Sequence, residues 1–274
     1  MLLSEAKAIA TNHGVNVKSR PFLLSKPDSN PKVLKNMKQG VMTSPLHLAP
    51  ATLSGFNVCA GSSPGCVAAC LHTAGNPVYM AGKARARIAK TKLYFEQRDA
   101  FLTLLFEDIF WLALRANKQG LIAGIRLNAT SDIPFERVKH EGQTVIEYCE
   151  RLGVVAYDYT KIKKRAINPR YNITFSRTES NDLDCVEVLK AGGNVAVVFA
   201  QGLPASWQGF PVINGDESDW PDDVLRFAIQ DIKSAWNANP SFQDIDGPNA
   251  EYALKLWAEF DAYVVELQSR KGML

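Results

Sequence analysis

Leu121-Ile-Ala-Gly-Ile-Arg-Leu127 runs straight into Asn128-Ala-Thr-Ser-Asp132. The first half is a short apolar run of strand length. The second is a cluster of polar side chains. The same arrangement recurs downstream. Val154–Tyr157 leads into Asp158-Tyr-Thr-Lys161, Asn172–Phe175 into Ser176-Arg-Thr-Glu179, Val195–Phe199 towards Gln201, and Phe210–Ile213 into Asn214-Gly-Asp-Glu-Ser-Asp219. Helical segments separate several of these runs, notably Thr144–Leu152 and Asp182–Ala191, the latter stopped by Gly192-Gly193. Strands alternating with helices predict βα units and a parallel sheet. Strands that are apolar on both faces suit its buried interior. The carboxyl edge of such a sheet carries the site, and here polar residues follow strand after strand. The expected fold is α/β, an incomplete parallel (β/α) barrel.

Upstream, residues 77–97 predict a basic helix carrying Lys83, Arg85, Arg87, Lys90 and Lys92. At about 100° per residue, Lys83, Arg87 and Lys90 share one face, and Arg85 and Lys92 lie on another. Asp99 is placed to cap a second helix reaching about Asn117, with Phe101, Leu105, Ile109 and Leu112 buried and Gly120 at its end. Residues 1–55 read as an N-terminal arm: a helical start at Leu3–Thr11, then a proline-punctuated segment lying on the body. Residues 56–220 form the barrel with its cysteine loop. Residues 221–274 read as a helical C-terminal extension.

The chain has 274 residues, 46% of them apolar and 22% charged, enough for a full core. No apolar run has the length of a membrane span or the flanks of a signal peptide, so a cytoplasmic protein is expected. The net charge of +3 hides an asymmetry. Residues 1–95 hold twelve Lys and Arg against Glu5 and Asp28, whereas residues 211–274 hold twelve acids against five bases. The basic third points to an anionic partner, a nucleotide or nucleic acid, or else to a solvated face. No Walker loop, Gly-x-Ser-x-Gly elbow or His-Glu-x-x-His occurs.

Cys59, Cys66 and Cys70 sit within twelve residues, spaced Cys-x6-Cys-x3-Cys on a loop rich in Gly, Ser and Pro. Five cysteines in a cytosolic chain do not predict a disulfide framework. Three thiolates on one loop can hold a [4Fe–4S] cluster and leave one iron open, the geometry used to cleave S-adenosylmethionine. A zinc site adding His72, or three unligated thiols, are the alternatives. Cys149 and Cys185 are expected on buried helix faces. For a bound S-adenosylmethionine, Asp132 and Asp158 are candidate carboxylates, Lys161 a candidate cation, and Asn128, Thr130 and Ser176 candidate neutral donors. Rim salt bridges are the structural alternative for the charged groups. His13, His47 and His140 have no partner spacing and read as structural or surface residues.

The run from Leu48 to Gly75 that contains the cysteines resembles the phage gene-product-88-like family. So do Ala84-Arg-Ala-Arg-Ile-Ala-Lys-Thr-Lys92, Ile125–Asp132, Tyr157-Asp-Tyr-Thr-Lys161 and Pro211–Asp219. The resemblance spans about residues 30–220. It implies a phage or mobile-element protein whose cysteine loop is similar to a radical-SAM cluster loop, with Cys-x6-Cys-x3-Cys in place of Cys-x3-Cys-x2-Cys. The implied function is a radical-SAM-like iron–sulfur enzyme acting on an anionic substrate. The alternative is a metal-stabilised nucleic-acid-binding or host-interaction protein without catalysis.

Overall fold

The computed structural model describes residues 1–28, 36–70, 81–166, 171–200 and 202–215. The expected C-terminal helices lie outside these residues, as do His72, Gln201, Asp216 and Asp219.

Helix α1 (Leu3–Asn12) opens the chain and strand β1 (Val41–Pro45) follows. A short helix α2 (Pro64–Ala68) carries Cys66, with Pro64 in its first turn and the Ser63 hydroxyl accepting from the Cys66 N–H. Then come α3 (Ala81–Glu96), α4 (Arg98–Lys118) and β2 (Ile122–Arg126). Gln97 occupies the cap position of α4 that the sequence reading assigned to Asp99, and Asp99 sits two positions past it, inside the first turn. A small hairpin, β3 (Lys139–His140) with β4 (Gln143–Thr144), precedes α5 (Val145–Arg151). Thr144 and Glu147 close a reciprocal capping box there. Strands β5 (Val155–Thr160) and β6 (Asn172–Ser176), helix α6 (Asp182–Lys190) and strand β7 (Asn194–Ala196) complete the main body.

Strands β1, β2, β5, β6 and β7 form one sheet in that spatial order, every pairing parallel. Each new strand joins the same growing edge, the order of a (β/α) barrel, without the reversal that marks a doubly wound sheet. Among the described residues the helices pack on one face. Met42, Ala123, Ile125, Ala156 and Ile173 share a core with Phe101, Leu105 and Ile109 of α4 and with Val145 and Cys149 of α5. Phe175 and Val195 meet Cys185 and Val188 of α6 on that same side. The opposite face is polar towards its carboxyl end, with Arg126, Tyr157, Tyr159, Asn172, Thr174 and Ser176.

The run Phe210–Ile213 is not a strand of this sheet. Phe210–Pro211 forms β9 and pairs antiparallel with β8 (Ser206–Trp207). Gln208 and Gly209 both have positive φ, at 52° and 82°, so the two-residue turn folds the chain back on itself. The sheet draws its fifth strand from the arm instead.

The rest of the arm lies along the outer edge of β1. Leu24 bridges Leu46, and the Ser25 N–H donates to the Pro45 carbonyl. One carboxylate fixes this segment. Asp108, buried within α4, accepts the backbone N–H groups of Phe22, Leu23 and Leu24 at 2.8, 2.7 and 3.0 Å. Asp108→Ala strands three buried donors, each costly without an acceptor. We expect it to lower the unfolding free energy by about 3 kcal/mol or more, measured by urea denaturation, with Asp108→Asn losing less. A midpoint unchanged in Asp108→Ala would refute this account of the arm.

Candidate functional site

The cysteine loop follows β1 and folds across the carboxyl ends of the next strands. The Ala129 N–H donates to the Leu46 carbonyl, the Thr130 hydroxyl to the Leu48 carbonyl at 2.6 Å, and the Asp132 N–H to the Val58 carbonyl at 2.7 Å. These bonds stitch the loop to the segment after β2. Beyond β5, a Cβ on Gly61 would stand 3.0 Å from the Ile162 side chain and 3.3 Å from the Lys161 carbonyl, so glycine permits the approach. Beyond β6, the Glu179 carboxylate accepts from the Ser63 hydroxyl and the Gly65 N–H at 2.8 and 3.0 Å. A Cβ on Gly65 would collide with that carboxylate at 2.9 Å. Hydrogen bonds from its own N–H, Ser63 and Gly65 hold the Glu179 carboxyl below its usual range.

Cys59, Cys66 and Cys70 are half-buried free thiols on this loop. Burial pushes the Cys59 thiol up, against the Ala51 N–H that favours its thiolate, and Asp132, Cys70 and Cys66 push it further. The other two sulfurs are therefore close enough to feel its charge. Among the described residues, no three His, Cys, Asp or Glu side chains stand as a closed ligand set. Cys149 on α5 and Cys185 on α6 are buried, as the sequence reading expected. Burial pushes both thiols up.

The strand-end candidates divide into two groups. Asn128, Thr130, Asp132 and Asp158 are engaged by the fold. Asp158 is buried and accepts the Asn128 N–H (3.0 Å), the Asn128 Nδ2 (2.9 Å) and the Tyr171 hydroxyl. Burial pushes its carboxyl from 3.8 to about 6, against the pull of Arg126, Tyr171 and Asn128. Asp132 accepts the Thr160 hydroxyl (2.8 Å), the Lys161 N–H (2.9 Å) and Arg165 Nη1. Arg165, 4% exposed, also forks onto Glu136 at 2.8 and 3.0 Å. The second group is open: the side chains of Lys161 and Ser176 enter none of the hydrogen bonds within the described residues.

Sequence reasoning did not single out Arg126, Arg165 or Tyr171; Glu179 stood only at the end of a strand-end cluster, and His47 read as structural or surface. Arg126 was the most legible of these, a lone charge inside an otherwise apolar strand. His47 is half-buried, with Nδ1 3.0 Å from the Ser25 hydroxyl. Its pKa falls to about 3, first through burial and then through Arg87, Lys90, Arg126 and Lys83. Lys83, Arg87 and Lys90, which spacing assigned to one face of α3, are all within electrostatic range of His47. Lys90 is withdrawn from solvent. Its ammonium donates to the Leu23 carbonyl at 2.8 Å, and burial lowers its pKa to about 8.

The fold and this edge define an α/β protein with a parallel sheet and a cysteine loop laid over its carboxyl end. A family model described as Gene product 88 matches residues 22–235, and the chain belongs to that phage family. No curated protein and no solved structure matches it. No helix among the described residues is long and apolar enough to cross a membrane.

Two measurements test the geometry. Asp158 is protonated in the folded chain and ionised in the unfolded one between about pH 4 and pH 6, so stability falls as pH rises through that window. Asp158→Asn removes this slope. Relative to wild type it should gain up to about 3 kcal/mol between pH 4 and pH 6.5, followed by urea denaturation at each pH. Parallel curves would show that Asp158 ionises normally. Separately, Glu179→Ala should speed alkylation of Cys66 severalfold while Cys149 and Cys185 stay protected. Mass spectrometry of the quenched reaction reads this, and an unchanged Cys66 rate would exclude Glu179 as the clamp.

Proposed function

We propose that this chain is an iron–sulfur enzyme of radical-SAM-like type, built on an incomplete parallel (β/α) barrel and acting on an anionic substrate. The observation that carries the reading is the cysteine loop crossing the ends of β2, β5 and β6, where such folds do their chemistry. Cys59, Cys66 and Cys70 would hold a [4Fe–4S] cluster. The donor set fits: Cys66 and Cys70 add to the cost of ionising Cys59, which a bound metal relieves. The neighbouring carboxylates Asp132 and Glu179 are already hydrogen-bonded, so the thiols are the soft donors left at the loop. When bound, the cluster supplies an open iron for the amino and carboxyl groups of S-adenosylmethionine and an electron for cleaving its C–S bond.

The chain's own residues do the remaining work. Thr130 and Asp132 fix the loop to the sheet, and Glu179 holds the turn that carries Cys66. Lys161, a half-buried cation whose ammonium makes no hydrogen bond among the described residues, would meet the carboxylate of the cofactor, with Ser176 as a neutral donor. Asn128 and Asp158 shape the turn beneath them. The basic face of α3 draws the anionic substrate to the cysteine loop.

Anaerobic purification with iron and sulfide analysis tests the reading. We expect a brown protein with about four irons and four sulfides per chain after reconstitution. Cys59→Ala, Cys66→Ala and Cys70→Ala should each abolish the colour, and Cys149→Ala and Cys185→Ala should keep it. A colourless chain holding one tightly bound zinc after iron–sulfide reconstitution would replace this reading with a structural metal.

A further inference from the structure

Arg126 is the unexplained charge of this edge. It ends β2, and its side chain is 23% exposed. Its Nε is buried and has no hydrogen-bond partner among the described residues. The carboxylate nearest to it, Asp158, is held by Asn128 and Tyr171, and its Oδ1 stands 3.9 Å from that Nε. That is an ion pair beyond hydrogen-bond length. The guanidinium lies over the Tyr159 ring, 4.6 Å from its centre. Stacking of this kind fixes the plane of the fork and leaves its edge for a bidentate acceptor. A buried N–H without an acceptor is costly, so an acceptor supplied from outside would be held well.

The neighbours are also cationic. Pro45 and Arg126 are register partners on adjacent parallel strands, so they share a face of the sheet, and His47, two residues on, extends it. Lys83 and Arg87 of α3 lie within electrostatic range of His47, as Arg126 does. Helix α3 is fixed here by the Ala49 N–H donating to the Thr91 hydroxyl at 2.8 Å. Arg87 lies near Cys70 as well, which places this group beside the cysteine loop. On the same face of the sheet, the half-buried Asn172, Thr174 and Ser176 of β6 supply polar floor.

We propose that Arg126, with Lys83 and Arg87, binds the phosphoryl group of a small phosphate monoester at the carboxyl end of β2. The monoester deepens the anionic substrate proposed above and rests on reading this edge as a functional site, though not on any metal. A planar fork backed by two further cations matches a dianionic, three-oxygen acceptor. Two observations favour a terminal phosphoryl group over a nucleic-acid backbone. Arg126 is too enclosed to touch a chain of diesters. Lys90 is withdrawn onto Leu23, so the shared face of α3 does not present an unbroken cationic track.

The test uses the full chain as purified, and again after iron–sulfide reconstitution. Calorimetry is run with inorganic phosphate, adenosine 5′-monophosphate, adenosine and a single-stranded oligothymidylate. Phosphate and the monophosphate should bind both forms, and adenosine at least about tenfold more weakly than its monophosphate. Arg126→Gln should weaken phosphate binding at least about tenfold. The exposed Lys83→Gln, which leaves the core untouched, should weaken it severalfold, and it decides the matter if Arg126→Gln does not fold. The ring signals of His47 should shift on phosphate addition, which locates the site. Phosphate binding that is undetectable, or unchanged in both variants, would overturn the proposal. So would an oligonucleotide that binds more tightly than the monophosphate. Phosphate binding by a chain that assembles no cluster would leave this inference standing and reject the metal. A cluster without phosphate binding would do the reverse.

Discussion

Arg165 is a guanidinium with almost no access to water, and the carboxyl edge of the sheet is built around it. Burial works against its charge, but Glu136 and Asp132 outweigh that and raise its pKa. Each of its two carboxylate partners belongs to the segment after β2, whereas Arg165 itself follows β5. Asp132 extends the connection. Its side chain takes the Thr160 hydroxyl and the Lys161 N–H, and its own N–H donates to Val58 just before Cys59. One buried charge therefore fixes the relative positions of three loops. Removing such a partner is far costlier than its net contribution suggests, because the remaining charges stay buried and unpaired. What this network supplies is geometry: the turn after β5, the turn after β2 and the cysteine loop cannot shift independently.

That constraint sorts the polar residues of the edge. Side chains that point into the network have their hydrogen-bonding capacity filled by the protein, as with Asn128, Thr130, Asp132 and Asp158. Among the described residues, those left over are the Arg126 Nε, the Lys161 ammonium and the Ser176 hydroxyl. The open set is cationic, while the engaged set contains the carboxylates. An edge whose acids are neutralised internally and whose bases are not presents positive potential outward. An anionic ligand is favoured there.

Local signals carried much of this into the sequence. The apolar spacing of α4, the Thr144–Glu147 box and the glycines at 120 and 192 are each readable because their physics lies within a few residues. Residues 41–45 were not readable as a strand. Val41-Met-Thr-Ser-Pro45 is short, half polar and ends in proline, and only its pairing with β2 and the cover of Leu23 and Leu24 make it one. Phe210–Ile213 failed in the opposite way. It is apolar enough for a strand, but the Gln208-Gly209 turn captures it first. At the site, the strand-end acids were legible as acids and not as engaged ones. Asp132 is satisfied by an arginine 33 residues away, and Glu179 by a loop more than 100 residues away. Nothing local announces either partner.

The exposure of the sheet is graded from strand to strand. All five residues of β1 are buried, and the side chain of Asn36 donates to Thr43 on its polar face. In β2 only Arg126 emerges, in β5 only Tyr159. In β6 every second residue emerges, and β7 has no buried position. Cover therefore thins steadily from β1 to β7, while the cysteine loop crosses in the same direction from β1 to Glu179. The open positions of the polar face are therefore Arg126, Tyr159 and alternate residues of β6. A ligand whose phosphoryl group met Arg126 would extend along Tyr159 and the β6 side chains rather than back towards β1, where the fold leaves no room. Its far end would then lie towards the ends of β5 and β6, which the cysteine loop crosses.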